Sequence, residues 1–312
     1  MEGFEYVILD PADKALVRDS ILQSLYIATD RKIVKQYVRC ITTMARFDFP
    51  EKWPGLLEQV TAYLQQPEEK AVMTGLLGLR GLVKKYEYEM DEDREPLFKI
   101  SEATFGLLGA LVNQVIAVES EQAYEVVYLV AKIFYLANQL QVCPFLARDS
   151  GANLDPWIMF FKTVMDRPLP AELDSPCEDM AEIERRDKHI CWKAKGIAGQ
   201  TTYRLFSKYG NPKFADEKYA EFSKVFREKY AVPLLESHLA VVLRRQTNFV
   251  GSKALNFGIK YVGQSTKMPA TMSKLKPFVE RLLFEVVVAP IMLVTHRDVT
   301  IFSEDPIEYI RK

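Results

Sequence analysis

Histidine is nearly missing from this chain. His189, His238 and His296 are the only three in 312 residues, and none stands in an HExxH or comparable ligand spacing. Cysteine is almost as scarce. Cys40, Cys143, Cys177 and Cys191 are scattered with no CxxC pair, which removes the usual zinc and dithiol signatures and favours a reduced intracellular compartment. The nearest thing to a cluster, His189 with Cys191 and Cys177, offers two thiols and one imidazole at irregular spacing, a poor tetrahedral set. It reads better as a loop-to-helix boundary with a buried thiol. No GxGxxG, GxxxxGKS/T or GxSxG occurs, so phosphate cradle and nucleophile elbow are both absent. Asp91, Glu92 and Asp93 precede a helical pattern and read as capping and solvating groups. No enzyme, cofactor or metal is expected.

An excess of one charge is also lacking. Lys and Arg total 41 against 42 Asp and Glu, a formal charge of −1. That is far from the concentrated positive charge of a phosphate-backbone binder, so direct nucleic-acid contact is not expected. Long hydrophobic runs are missing too. The most apolar tract, Leu282 to Val294, carries Glu285 and Pro290 between Arg281 and Arg297, short of a membrane span of about 20 residues. It reads as a buried helix, and no membrane insertion is expected. The opening MEGFEYVILDPADK places Glu2, Glu5 and Asp10 where a leader would carry basic residues, so no targeting peptide is expected.

What is present is helical periodicity. With 48% hydrophobic and 27% charged residues, the chain can bury a large core. Val34, Val38, Ile41 and Ala45 form one stripe at a 3.6-residue period, and Val72, Leu76, Leu79, Val83 and Tyr86 another. Further stripes start at Leu97, Tyr219, Leu255 and Leu275, and no strand-like alternation competes. Asp30, Ser120, Asp216 and Ser273 suit N-caps, and Pro67 with Glu68 and Glu69 suits a helix start. Breaks fall at Pro50 to Pro54, Pro144, Pro168 to Pro176, Tyr209 to Pro212 and Gly263 to Pro269.

Pairing neighbours across the breaks predicts outer helices near residues 30–46, 69–87, 121–140, 188–209 and 250–263. Their partners are predicted near 54–65, 95–118, 154–166, 217–246 and 274–294. One helical hairpin cannot bury both faces alone, so the expected fold is all-α: a single HEAT/armadillo-type solenoid over 1–312, an α-α superhelix with a concave partner surface. The longest expected non-helical stretch, about 168–187, carries Asp174, Glu178, Asp179, Glu182 and Glu184 ahead of Arg185, Arg186 and Lys188. It reads as a charged insertion loop, either a solvated connector or a partner contact.

Local pattern adds identity. In Asp48-Phe49-Pro50-Glu51-Lys52-Trp53-Pro54-Gly55-Leu56, Pro50 stops one helix and Pro54 suits the first turn of the next, while Phe49 and Trp53 can plug the corner. This block resembles the DFPxxWPxL turn between the two helices of a HEAT repeat in the importin-beta superfamily. Leu82-Val83-Lys84-Lys85-Tyr86-Glu87-Tyr88, the stretch from Trp192-Lys193 to Arg204–Pro212, and Glu304–Lys312 resemble the LVKxYEY, WKxKKWA…RLFxRYGxP and EDPxEYIR segments of its importin-seven/eight branch, in the same order.

The resemblance implies a nuclear transport receptor that binds cargo proteins and captures Phe-Gly nucleoporin repeats in apolar slots between adjacent outer helices. It also implies Ran-dependent import and shuttling between cytoplasm and nucleus. It places the chain after the family's opening repeats and before its carboxy-terminal half, so contact with the Ran GTPase is expected to be incomplete. Full receptors of the branch are acidic and this segment is nearly neutral, which offers less electrostatic pull on basic cargo. Phe49, Pro50, Trp53, Pro54 and Trp192 are the expected packing residues. Lys84, Lys85, Arg244 and Arg245, with Glu178, Asp179, Glu182 and Glu184 of the charged segment, are the partner-contact candidates. The alternative is a generic HEAT scaffold holding a multiprotein complex together.

Overall fold

The computed structural model describes residues 10–210, 217–286 and 296–311, and every regular element among them is helical. Two compact units divide the chain, Met1–Phe160 and Phe161–Lys312.

In the first unit the helices are α1 (Pro11–Ile27), α2 (Arg31–Asp48), α3 (Leu56–Leu64), α4 (Glu69–Lys85), α5 (Glu95–Val115), α6 (Glu121–Asn138) and the short α7 (Pro144–Ala147). Asp30 Oδ1 accepts from Lys32 N at 2.6 Å and Ser120 Oγ accepts from Ala123 N at 3.1 Å, so both predicted caps close an orphan donor. The periodicity did not reveal α1. Its Leu16 and Val17 are exposed while Ile21, Leu22 and Leu25 are buried, so its apolar residues spread round the helix rather than forming one stripe. Its signal lay instead in Asp10-Pro11: Asp10 accepts from Ala12 N at 2.7 Å and Pro11 stands in the first turn.

Helices α2, α4 and α6 lie side by side in one layer, backed by α3 and α5. Helix α4 is the centre of this unit and is buried on nearly every side, from Ala71 to Val83. Its glycines permit the approach: a Cβ at Gly75 would stand 2.8 Å from Leu64, one at Gly78 2.9 Å from Val60, and one at Gly81 3.1 Å from Ile41. Phe105, Phe134 and Trp157 fill the next part of the core, with ring centroids 4.8–5.4 Å apart.

Neighbouring helix ends in this layer are joined by cations. Lys85 Nζ donates to the carbonyl of Phe49, just past the end of α2. Arg94 is 1% exposed. Its guanidinium donates to Tyr86 O at 2.9 Å, past the end of α4, and to Ala137 O at 2.8 Å, near the end of α6. The last carbonyls of a helix have no partner inside it and carry the negative end of its dipole, so a buried cation satisfies both needs.

The second unit contains α9 (Ala171–Asp174), α10 (Met180–Asp187), α11 (Ile190–Tyr209), α12 (Ala220–Val225), α13 (Ala231–Arg244), α14 (Ser252–Ser265), α15 (Pro269–Leu275) and α16 (Val279–Arg281), and α8 (Asp155–Asp166) runs through the boundary. The stretch expected to be non-helical, 168–187, holds α9 and α10. Asp179 caps α10 by accepting from Glu182 N at 2.8 Å, and Glu182 bonds Arg185 and Arg186 at i+3 and i+4. Those local pairs stabilise a helix where the charge run suggested a loop. Ser273 is not an N-cap. It lies inside α15, which starts four residues earlier at Pro269. Asp216 and Pro212 lie outside the described residues, as do residues 287–294 of the apolar tract.

The helix predicted over 217–246 is nearly continuous but widens into a π-helical turn at Phe226–Tyr230. Pro233 follows in α13. With no N–H to give one turn back, it favours a wider turn there. In the core beneath, His238 stacks on Tyr261 at 4.2 Å and Tyr261 on Phe206 at 4.4 Å. Thr202 Oγ1 lies 2.9 Å from His238 Nε2.

Two expectations follow. Arg94→Met should lower the unfolding free energy by about 3 kcal/mol, because charge-assisted bonds to buried carbonyls are lost together; urea titration followed by circular dichroism measures it. Burial also holds the His238 imidazole down to about 3, below its ordinary value near 6.5. Between those values the unfolded chain binds a proton that the folded chain refuses. Stability from this residue is therefore complete above about pH 6.5 and declines as pH falls, by about 2 kcal/mol at about pH 5. His238→Phe should remove that part of the pH slope in the same titration.

Candidate protein-docking surface

The family-like blocks come together as packing devices. At the α2–α3 corner, Lys52 N and Trp53 N both donate to Asp48 O, at 2.7 and 2.9 Å. Phe49 and Trp53 are buried, while Pro50 is half-buried and Pro54 exposed. Lys85 Nζ lies 5.7 Å from the Phe49 ring centre and 4.9 Å from that of Tyr86. Burial holds this ammonium below its ordinary range. Lys85 is thus committed to the corner, whereas its neighbour Lys84 is exposed.

The WKAK block does comparable work in the second unit. Trp192 Nε1 donates to Leu173 O at 3.1 Å, and the ring covers Gly251, where a Cβ would stand 2.9 Å away. Lys195, which the sequence did not single out, donates to Met165 O at 2.6 Å and Arg167 O at 2.5 Å, at the end of α8. Burial pushes its ammonium down to about 8. In the last block, Asp305 accepts from Ile307 N at 3.1 Å with Pro306 in the first turn of the helix Pro306–Arg311, so Asp-Pro serves there as a helix start.

Most charges in 168–187 are already used. Arg244 Nε donates to Asp174 Oδ1 at 2.8 Å, with a second bond from the guanidinium to the other oxygen, and Asn248 adds a third at 3.1 Å. Arg186 donates to Ser175 O at 2.6 Å. Hydrogen bonds from Arg185 and Arg186 hold the Glu182 carboxyl down to about 2. Glu184 pairs with Lys188, and Asp187 accepts from Ser252 N at 2.7 Å. Glu178 and Asp179 remain on the exposed side. Arg245 reaches Val286 O at 3.5 Å, the limit of a hydrogen bond. The Cys177, His189 and Cys191 cluster is a helix start: His189 Nδ1 accepts from Cys191 N at 3.3 Å, and Cys191 is buried. Among the described residues no group of three His, Cys, Asp or Glu side chains is placed to hold a metal, and no helix is long and apolar enough to cross a membrane.

The surface left for a partner in the first unit is grooved. Between α2 and α4 runs a groove of about 610 Å³. This slot between adjacent outer helices, expected to be apolar, has Val34, Val38 and Leu77 in its lining and is flanked by the cations Lys35, Arg39, Arg46, Arg80 and Lys84. Lys84 is the only one of these among the sequence candidates. The others were legible as a row of cations at helical spacing, but only the pairing of α2 with α4 makes them face each other. A second groove, of about 510 Å³, lies between α1 and α2 and is mainly apolar, with Val17, Ile21, Tyr37 and Met44 in its walls. Dispersed grooves of this kind suit peptide segments rather than a reacting substrate.

No family model matches the chain. Individual proteins do. It is 32% identical over 99% of its length to an importin beta-like SAD2 homolog of Arabidopsis thaliana, covering 29% of that protein. It is 30% identical over 96% of its length to human Importin-8, covering 28% of it. The chain therefore spans less than a third of the curated relatives it matches. The exportin Cse1 in its cargo-free, cytoplasmic state superposes with a TM-score of 0.73 at 17% identity, covering 98% of this chain and 32% of that one. The likeness to Cse1 concerns the fold alone and agrees with a HEAT-type all-α architecture. With relatives of this name aligned along nearly all of its length, the chain belongs to the importin-beta superfamily.

Proposed function

We propose that this chain is a segment of a nuclear transport receptor that acts by binding and not by catalysis. In this reading it contacts cargo proteins and FG-repeat nucleoporins during Ran-dependent import, and moves between cytoplasm and nucleus. The observation that carries the reading is the alignment with importins from end to end. Import is favoured over export because the relatives near 30% identity are named importins, whereas Cse1 shares the architecture at 17%. The whole length, 1–312, is read as one HEAT-repeat segment. The apolar groove between α1 and α2 suits a Phe ring: it is shallow and flanked by exposed Val17, so a ring enters and leaves quickly and affinity comes from many weak contacts.

Purified chain should bind a synthetic FG-repeat peptide reversibly with micromolar affinity while binding GTP-loaded Ran poorly. Val17→Asp, which places a charge in the groove, should weaken the FG contact several-fold. A titration with no FG binding at high micromolar concentration would remove the nucleoporin half of the reading and leave a generic HEAT scaffold as the better description.

A further inference from the structure

We propose that the groove between α2 and α4 binds an acidic, extended segment of a partner protein. The inference stands apart from the transport reading, since it rests on charge and spacing in this groove.

Lys35, Arg39 and Arg46 form one wall and Arg80 and Lys84 the other. Lys132, on the adjacent α6, adds a sixth cation: besides burial, Arg80 and Lys84 help to hold its ammonium below the ordinary range. None of the six has a carboxylate in ion-pair contact among the described residues, and Arg80 Nε is buried there without a hydrogen-bond partner. Elsewhere in the unit exposed cations do find acids, as Arg31 does with Glu121 and Arg148 with Glu102. Glu87 acts on Lys132 alone among the six, so the cations gathered here outnumber the carboxylate beside them and repel one another, and a bound anion relieves that cost.

Geometry selects the kind of anion. Lys35 and Arg39, and likewise Arg80 and Lys84, are four residues apart on their helices, a rise of about 6 Å. Side chains on one side of an extended peptide repeat every ~6.6 Å, so successive acidic residues on each side meet successive cations. From Lys35 to Arg46 the wall is about 16 Å long, room for about five extended residues. Val38 and Leu77 lie between the walls and give an apolar side chain a place to rest.

A nucleic-acid strand fits less well. No aromatic ring lines the groove for a base to stack on. Carboxylates also flank the end of α4: Glu87 acts electrostatically on Lys132, and Glu51 and Glu89 on Lys85. They would repel a long polyanion running past the groove more than a short acidic segment held between Lys35–Arg46 and Arg80–Lys84.

The probe is a fluorescein-labelled peptide of Asp and Glu with one central Leu, read by fluorescence anisotropy on the full chain. Binding is expected in the micromolar range and should weaken as salt is raised. It should fall on the order of tenfold in Arg39→Gln/Lys84→Gln, whose two positions are exposed, with an unchanged circular dichroism spectrum. Lys274→Gln, an exposed site in the other unit, should leave it unchanged. A photo-crosslinker at the central Leu should label residues 34–46 and 77–84. Absence of binding, equal binding by the double variant, labelling confined to other segments, or stronger competition by polyuridylate than by unlabelled peptide would each overturn the proposal.

Discussion

Buried cations on helix carbonyl ends are the interaction on which this structure turns. Helices that recur in one layer of a repeat stack point the same way, so their carboxy-terminal ends gather along one rim. Each end brings unsatisfied carbonyls and the negative pole of a dipole. Stacking the repeats shuts water out of that rim, and the carbonyls then need donors from the chain itself. Lys85 and Arg94 supply them in the first unit, and Lys195 supplies them at the end of α8 in the second. One guanidinium, that of Arg94, bonds a carbonyl just past the end of α4 and one in the last turn of α6, so the spacing of the two helices is tied to a single side chain.

This arrangement also sorts the charges of the molecule into two populations. Lys85, Arg94, Lys195, Arg186 and Arg244 are engaged within the fold, on carbonyls or on Asp174 and Glu182. Others stay on the surface, and in the groove between α2 and α4 five of them line the walls with no carboxylate among the lining residues. A net charge of −1 conceals this, because the total averages over groups already engaged within the fold and groups left open on the surface. Adjacent residues can fall into different populations, as Lys84 and Lys85 do. A carbonyl captures one, and the other faces solvent.

Much of the fold was legible in the residues. A 3.6-residue period located α2, α4 and α5 closely, α6 followed from the pairing of helices across the breaks, and Asp30 and Ser120 marked helix starts that the structure retains. Legibility failed where a short-range rule competed with a longer-range one. At 168–187 the charge run suggested a solvated loop, but Asp179 and the Glu182–Arg185/Arg186 pairs make a helical turn there. Helix α1 escaped notice because its apolar residues serve two surfaces at once, a buried one at Ile21, Leu22 and Leu25 and an exposed one at Leu16 and Val17.

The sequence by itself determined the helical class, the order of the helices and the family, because periodicity, caps and the DFPEKWP, LVKKYEY, WKAK and EDPIEYIRK blocks are all local in the chain. Only the tertiary structure decided which charges are available. Arg244 meets Asp174 across 70 residues and Lys85 meets Phe49 across 36, while Arg39 and Lys84 end on facing walls of one groove. A side chain's freedom to bind depends on what lies within a few ångströms of it in space, and helices distant in sequence set that neighbourhood only when they pack.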